Sequence, residues 1–196
     1  MKKKFILFAT IGVAACCFGA CKSTEESSQY DALNALLDKS YSQIVINVTD
    51  TFDAYTVLSS EYRMSYSDDS VLVQYSVEEF AEPSLDDTAS SHKTTLKGEA
   101  TIKNGAVTFT GDEVPLSADI ATPAFTFKED YFTNATLTDT SLVADVSTPS
   151  GFMGTTLNCT NMKVQAVFSE TAFSSIQISY ASAGGGRVKY AYSFTV

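Results

Sequence analysis

Apolar residues recur at every second position along most of this chain, and this alternation most restricts its fold. Ile44, Ile46 and Val48 share one side of a predicted strand, and the same pattern returns over residues 71–77. Successive side chains of a strand point to opposite faces, so the pattern is typical of strands with one buried face. No helical segments that could serve as crossovers lie between the strands, which predicts antiparallel pairing.

About ten strands are predicted, separated by turns and short loops. Their signals cover residues 44–49, 54–66, 71–77, 93–103, 106–110, 131–137, 141–146, 162–169, 174–180 and 188–196. The strongest hairpin signal is Asn104-Gly105, because a type I′ turn needs positive φ at both central positions. Residues 78–92 contain Pro83 and acidic pairs, which predict a mobile loop, and residues 149–154 predict a short helical turn or a loop.

One helix is predicted over residues 29–41, where apolar residues recur at three- and four-residue steps, with Ser27 or Ser28 as its cap. Ten strands exceed what one flat sheet usually holds, so the sheet must curl or split. We therefore predict a mainly β domain, a curved antiparallel sheet that forms an open half-barrel around the N-terminal helix. The alternatives are a two-sheet β-sandwich and a closed barrel.

The first residues have the pattern of an export signal. Lys2, Lys3 and Lys4 precede a predominantly apolar core that begins at Phe5 and reaches Ala15 or Ala20. A helix needs roughly 20 apolar residues to cross the hydrocarbon layer, so this core is short for a membrane span and suits a signal peptide. The alternatives are an ordinary cleaved signal with incidental cysteines and an uncleaved N-terminal anchor.

Two cysteines in this segment have the surroundings of a lipid attachment site. Val13-Ala14-Ala15-Cys16 and Phe18-Gly19-Ala20-Cys21 each place two small residues before a cysteine. This resembles the lipobox of bacterial lipoprotein signal peptides, which runs aliphatic, small, small, Cys. The first match has the aliphatic residue, whereas the second has Phe18 there but follows a longer apolar core and directly precedes a polar segment.

The lipobox resemblance implies a diacylglyceryl thioether on the cysteine, often with a third, amide-linked chain. Cys21 is the preferred site and Cys16 the alternative. The predicted organisation is a lipoprotein signal peptide at 1–20, a polar tether at 21–28 and one β-rich domain at 29–196. Two or more acyl chains hold a protein stably on a bilayer, so the predicted location is the extracytoplasmic side of the cell membrane.

The order of elements, one helix and then a strongly curved antiparallel sheet, looks like the open half-barrel of the bacterial lipoprotein carriers of the Lol type and related lipid-binding lipoproteins. This resemblance is architectural and transfers no residue roles. It implies an apolar or amphipathic ligand, such as a lipid, in the concave face over the helix. The alternative is a surface interaction or structural lipoprotein whose core is filled by its own side chains. A contiguous apolar cavity of several hundred Å³ would favour the carrier, and a filled core the interaction module.

Charge and cysteine content narrow the function further. The net charge of −10 becomes −13 once Lys2, Lys3 and Lys4 leave with the signal. Such an acidic domain argues against nucleic acid as a partner and against electrostatic docking on anionic lipid. Cys159 is the only cysteine beyond the N-terminal segment, so no disulfide can form inside the domain, and we expect it to be a small buried apolar residue.

No residue set predicts catalysis, a cofactor or a metal site. His92 is the only histidine and is predicted in a loop, and no Gly-x-Ser-x-Gly motif accompanies it. The acidic pairs at 68–69, 86–87 and 112–113 are predicted as solvated turns, and 184–186 as a glycine turn with no helix after it. The ligand-binding residues stay unknown at this level, although alternating aromatics such as Tyr190, Tyr192 and Phe194 would pack the core or line a pocket.

Overall fold

The computed structural model describes residues 28–53, 55–81, 91–116 and 118–196. The proposed signal segment, Cys16, Cys21 and nearly all of the tether lie outside these residues, as do Asp86 and Asp87. The ten strands are β1 (Gln43–Phe52), β2 (Tyr55–Tyr66), β3 (Val71–Ala81), β4 (Ser91–Lys103), β5 (Ala106–Gly111), β6 (Phe132–Leu137), β7 (Ser141–Val146), β8 (Cys159–Phe168), β9 (Phe173–Ser182) and β10 (Arg187–Thr195). The α-helices are α1 (Gln29–Leu37) and α2 (Pro149–Met153).

All ten strands belong to one antiparallel sheet in the order β5-β4-β3-β2-β1-β10-β9-β8-β7-β6. The predicted curved, open sheet is therefore confirmed, and the two-sheet sandwich and the closed barrel are not what forms. Strands β1 and β10 pair from Gln43 with Thr195 to Thr51 with Arg187, which brings the two ends of the domain together. Strands β5 and β6 are the edges of the sheet.

The hairpin between β4 and β5 forms as its sequence predicts. Asn104 has φ of 52° and Gly105 has φ of 76°, the positive values that a type I′ turn requires. The predicted loop at 78–92 is wrong at both ends, because β3 continues to Ala81 and β4 begins at Ser91. Pairing with a neighbouring strand supplies hydrogen bonds that local sequence cannot reveal.

Helix α1 begins where the sequence predicts but ends four residues early. Ser28 caps it: its hydroxyl accepts from the Asp31 amide, and the Asp31 carboxylate accepts from the Ser28 amide. The helix ends at Leu37, before the polar residues Asp38 to Ser40, which favour turns. Tyr41 lies outside the helix and folds back, donating its hydroxyl to the Leu36 carbonyl at 2.8 Å.

The connection from β5 to β6 fills much of the concave side of the sheet. Its residues Val114, Phe125 and Phe127 are buried in the core. The Asn34 side chain of α1 fastens this connection, donating to the Phe127 carbonyl and accepting from the Phe127 amide, both at 2.8 Å. We call its described residues, 112–116 and 118–131, the filling segment.

Replacing Asn34 with alanine is expected to lower the free energy of unfolding by about 1–3 kcal/mol, since it leaves both polar groups of the Phe127 backbone without a partner. Urea unfolding of the variant measures this loss. Asn47→Ala, on the exposed side of β1, is the matched control and should change the value by less than about 0.5 kcal/mol. Equal effects of the two substitutions would show that Asn34 does not fasten the filling segment.

Candidate functional site

The concave face of the sheet is closed by protein over β6 to β9. The ring of Phe127 is fully buried and lies 5.7 Å from that of Phe173 and 5.5 Å from that of Phe152, centroid to centroid. Phe125 stacks on Phe152 at 5.5 Å, and the Phe132 ring also lies 5.5 Å from that of Phe152. These five rings occupy the volume that a large ligand would need in an open half-barrel.

Two surface clefts flank helix α1. A cleft of about 210 Å³ is lined by Leu33 and Leu36 of the helix and by Leu137 and Phe168 of the sheet. A second cleft, of about 550 Å³, lies beyond the C-terminal end of α1, where Ile44 and Tyr66 meet polar side chains that include Asp38. The first has an apolar floor, whereas the lining of the second is mixed.

Tyr66 joins the second cleft to the filling segment. Its hydroxyl donates to the Ala121 carbonyl at 2.7 Å. Burial raises the pKa of Tyr66 to about 12, so the phenol keeps its proton at neutral pH. This side of the cleft is therefore held by a neutral hydrogen bond, not by an ionic group that could exchange partners with a ligand.

One part of the concave face is not closed by the filling segment. It lies on the central strands β2, β1 and β10, and its side chains are half-buried. It consists of Val48, Asp50, Leu58, Val188 and Tyr190, which we call the open strip. The register places Val48 beside Tyr190, and Asp50 between Leu58 and Val188. The strip is thus an apolar surface of four side chains that carries one carboxylate.

Tyrosines border the open strip on the β9 side. The ring of Tyr190 stacks with those of Tyr180 and Tyr192 at centroid distances of 6.2 and 6.3 Å. Burial is the main cause that raises the pKa of Tyr180, and the neighbouring Tyr190 and Asp50 contribute. The pKa of Tyr192 is also raised, chiefly by burial. Both phenols therefore keep their protons at neutral pH.

The residues weighed as chemical candidates are dispersed. Asp68 and Asp69 lie in the turn between β2 and β3, where Asp69 forms an ion pair with Lys103. Asp112 follows β5, and its carboxylate accepts from the Lys97 amide at 3.0 Å. The backbone of His92 lies in β4 and not in a loop, which corrects the expectation for this residue.

Two other expectations concern small residues. The glycine run at 184–186 forms the turn between β9 and β10, with φ of 89° at Gly185, as predicted. Cys159 begins β8 as a free, half-buried thiol, and burial raises its pKa. It is thus less buried than expected, and its thiol is held in the protonated, less reactive form.

The described part of the chain contains no group of three or more His, Cys, Asp or Glu side chains placed to hold a metal ion. No helix within it is both long and apolar enough to cross a membrane.

Asp50 was not among the residues predicted from the sequence. A signal for it was present, because Asp50 continues the inward-facing register of Ile44, Ile46 and Val48. A carboxylate in the register of a buried face is the anomaly that would have identified it.

These features define a class of structure, a ten-stranded open antiparallel sheet with a filled half and an open strip. No protein-family model matches the chain, and no curated protein shows significant similarity to it.

Proposed function

We propose that this protein is a non-enzymatic lipoprotein, exported and held at the outer side of a cell membrane by acyl chains on Cys21, with Cys16 as the alternative site. The proposal is supported by the resemblance of residues 1–21 to a lipoprotein signal and by the polar tether that follows. A chain that carries a net charge of −13 without its signal segment is poorly suited to hold itself on anionic lipid, so the acyl chains supply the attachment.

In this proposal the domain binds an apolar or amphipathic ligand on the open strip. One observation supports the ligand: the filling segment covers the concave face over β6 to β9 but leaves Val48, Leu58, Val188 and Tyr190 only half-buried. Apolar surface that a protein does not cover with its own chain is a typical feature of binding sites. Because the neighbouring volume is filled, the ligand is small, on the scale of one acyl chain.

Native mass spectrometry of protein extracted gently from membranes tests the ligand. We expect a bound lipid or other amphiphile, released on unfolding. Leu58→Gln, on the strip, should reduce the bound fraction several-fold, because it places a polar amide on the apolar surface. Leu72→Gln is the matched control, since Leu72 is 38% exposed and lies on the opposite face of the sheet. A protein that carries no ligand in either form would contradict carriage.

A second candidate function is a surface interaction or structural lipoprotein without a ligand. The filled aromatic core favours it, because the fully buried rings of Phe127, Phe152 and Phe173 occupy the concave side of the sheet. The same mass spectrum separates the two functions: the interaction module predicts a ligand-free domain at every step of extraction.

A further inference from the structure

Charged side chains are sorted between the two faces of the sheet. Basic residues of the strands alternate with inward-facing neighbours and so lie on the convex face; they are Arg63, Lys97, Lys103, Lys163, Arg187 and Lys189. One more, Lys93, is exposed at the bulge near the start of β4. These six basic side chains therefore point away from the open strip.

Carboxylates, in contrast, do reach the concave face. Asp50 of β1 lies opposite Leu58 of β2, and Leu58 in turn lies opposite Glu79 of β3. The order across the three strands is carboxylate, leucine, carboxylate. Two like charges on one apolar face form a site of negative potential.

Asp50 has an unsatisfied atom. Its Oδ1 is buried and has no hydrogen-bond partner. Gly186 lies next to it, and a Cβ at that position would come within 3.1 Å of Oδ1. A β-bulge between β1 and β2 follows directly after Asp50, and bulges are frequent beside functional sites, where they redirect side chains.

A buried carboxylate oxygen without a donor lowers stability, and folded proteins satisfy nearly all such atoms. A cation bound at the Asp50 carboxylate would offset its charge. Because the register sets Asp50 between Leu58 and Val188, a cation with an apolar chain would contact the carboxylate and apolar side chains together. An anionic amphiphile would place its charge against Asp50 and Glu79, and an uncharged one would leave Oδ1 as it is.

We propose that the open strip selects a cationic amphiphile, an aliphatic amine whose ammonium group lies against the carboxylate of Asp50 while its chain lies along Val48, Leu58, Val188 and Tyr190. This inference rests on the proposed function, since it names the chemical class of the ligand on the same strip. Tyr180 and Tyr190 stand beside the head group, where aromatic rings favour ammonium ions.

Calorimetric titration of the purified domain with three amphiphiles of equal chain length tests the proposal. The probes are dodecylammonium, dodecyl maltoside and dodecanoate, each below its micelle-forming concentration. We expect dodecylammonium to bind most tightly, and Asp50→Asn to weaken its binding by about tenfold, the usual effect of losing a hydrogen bond to a charged group. The affinity for dodecyl maltoside should stay within about twofold, because that probe has no charge to lose.

Glu61→Gln is the matched control, because it removes one negative charge from the convex face of β2. It should change dodecylammonium binding by less than about twofold. If Glu61→Gln and Asp50→Asn weaken binding equally, the preference is only the general attraction of a cation to an acidic protein, and the proposal is overturned. Equal binding of all three probes would overturn the cationic preference and leave the apolar site intact. If no probe binds, both the proposed ligand function and this inference fail.

Discussion

Replacing Phe127 with alanine is expected to lower the free energy of unfolding by about 3–5 kcal/mol. The side chain is fully buried, and its ring lies within 6.2 Å of those of Phe132, Phe152 and Phe173. Truncation removes these contacts and leaves a cavity. The surrounding hydrogen-bonded strands and the short helix α2 cannot easily move to close it. Since single domains are stable by only about 5–15 kcal/mol, this change takes a large share of the total.

Urea unfolding followed by far-ultraviolet circular dichroism measures the loss. The transition midpoint should fall while the slope stays unchanged, as expected when stability alone is altered. Phe52→Ala is the control, since Phe52 is 40% exposed at the end of β1 and its loss should cost less than about 1 kcal/mol. A loss below about 1 kcal/mol for Phe127→Ala would contradict a filled concave face.

The substitution Cys21→Ala has the second large expected effect, complete loss of acylation. Signal processing of lipoproteins depends on the cysteine that receives the lipid, and no other residue type carries the thioether. Expression of the full chain in a bacterium fed a labelled fatty acid measures this. We expect label on the natural chain and on Cys16→Ala, and none on Cys21→Ala. Label that persists in Cys21→Ala and disappears only in Cys16→Ala would transfer the site to Cys16.

The strands were predictable because the signal for each strand lies within its own residues. Alternation identifies a strand and its two faces, and Asn104-Gly105 identifies a turn, so all ten strands and the β4–β5 hairpin follow from local sequence. The C-terminal end of α1 was less predictable, because Tyr41 continues the helical spacing yet is buried by folding back over Leu36. Spacing alone does not distinguish these two ways of burying one ring.

The residues that fill the interior and form the site could not be predicted from local sequence, because their positions depend on tertiary contacts. Residues 112–131 have no regular period and contain Pro115 and Pro123, so local sequence shows no reason why Phe125 and Phe127 should fill the concave face. Their positions depend on hydrogen bonds that join the filling segment to Asn34 and to α2, which are distant from it in the sequence. The unpaired oxygen of Asp50 likewise appears only in the folded chain, where it packs beside Gly186 of the turn before β10.

The measurement that tests the central claim most directly is the mass of the N-terminal peptide of the natural chain, isolated from bacterial membranes. We predict a peptide that begins at Cys21 and carries the mass of a diacylglyceryl group, with or without a third acyl chain. A peptide without acyl mass, on a protein that is released into the medium, would contradict membrane attachment through lipid.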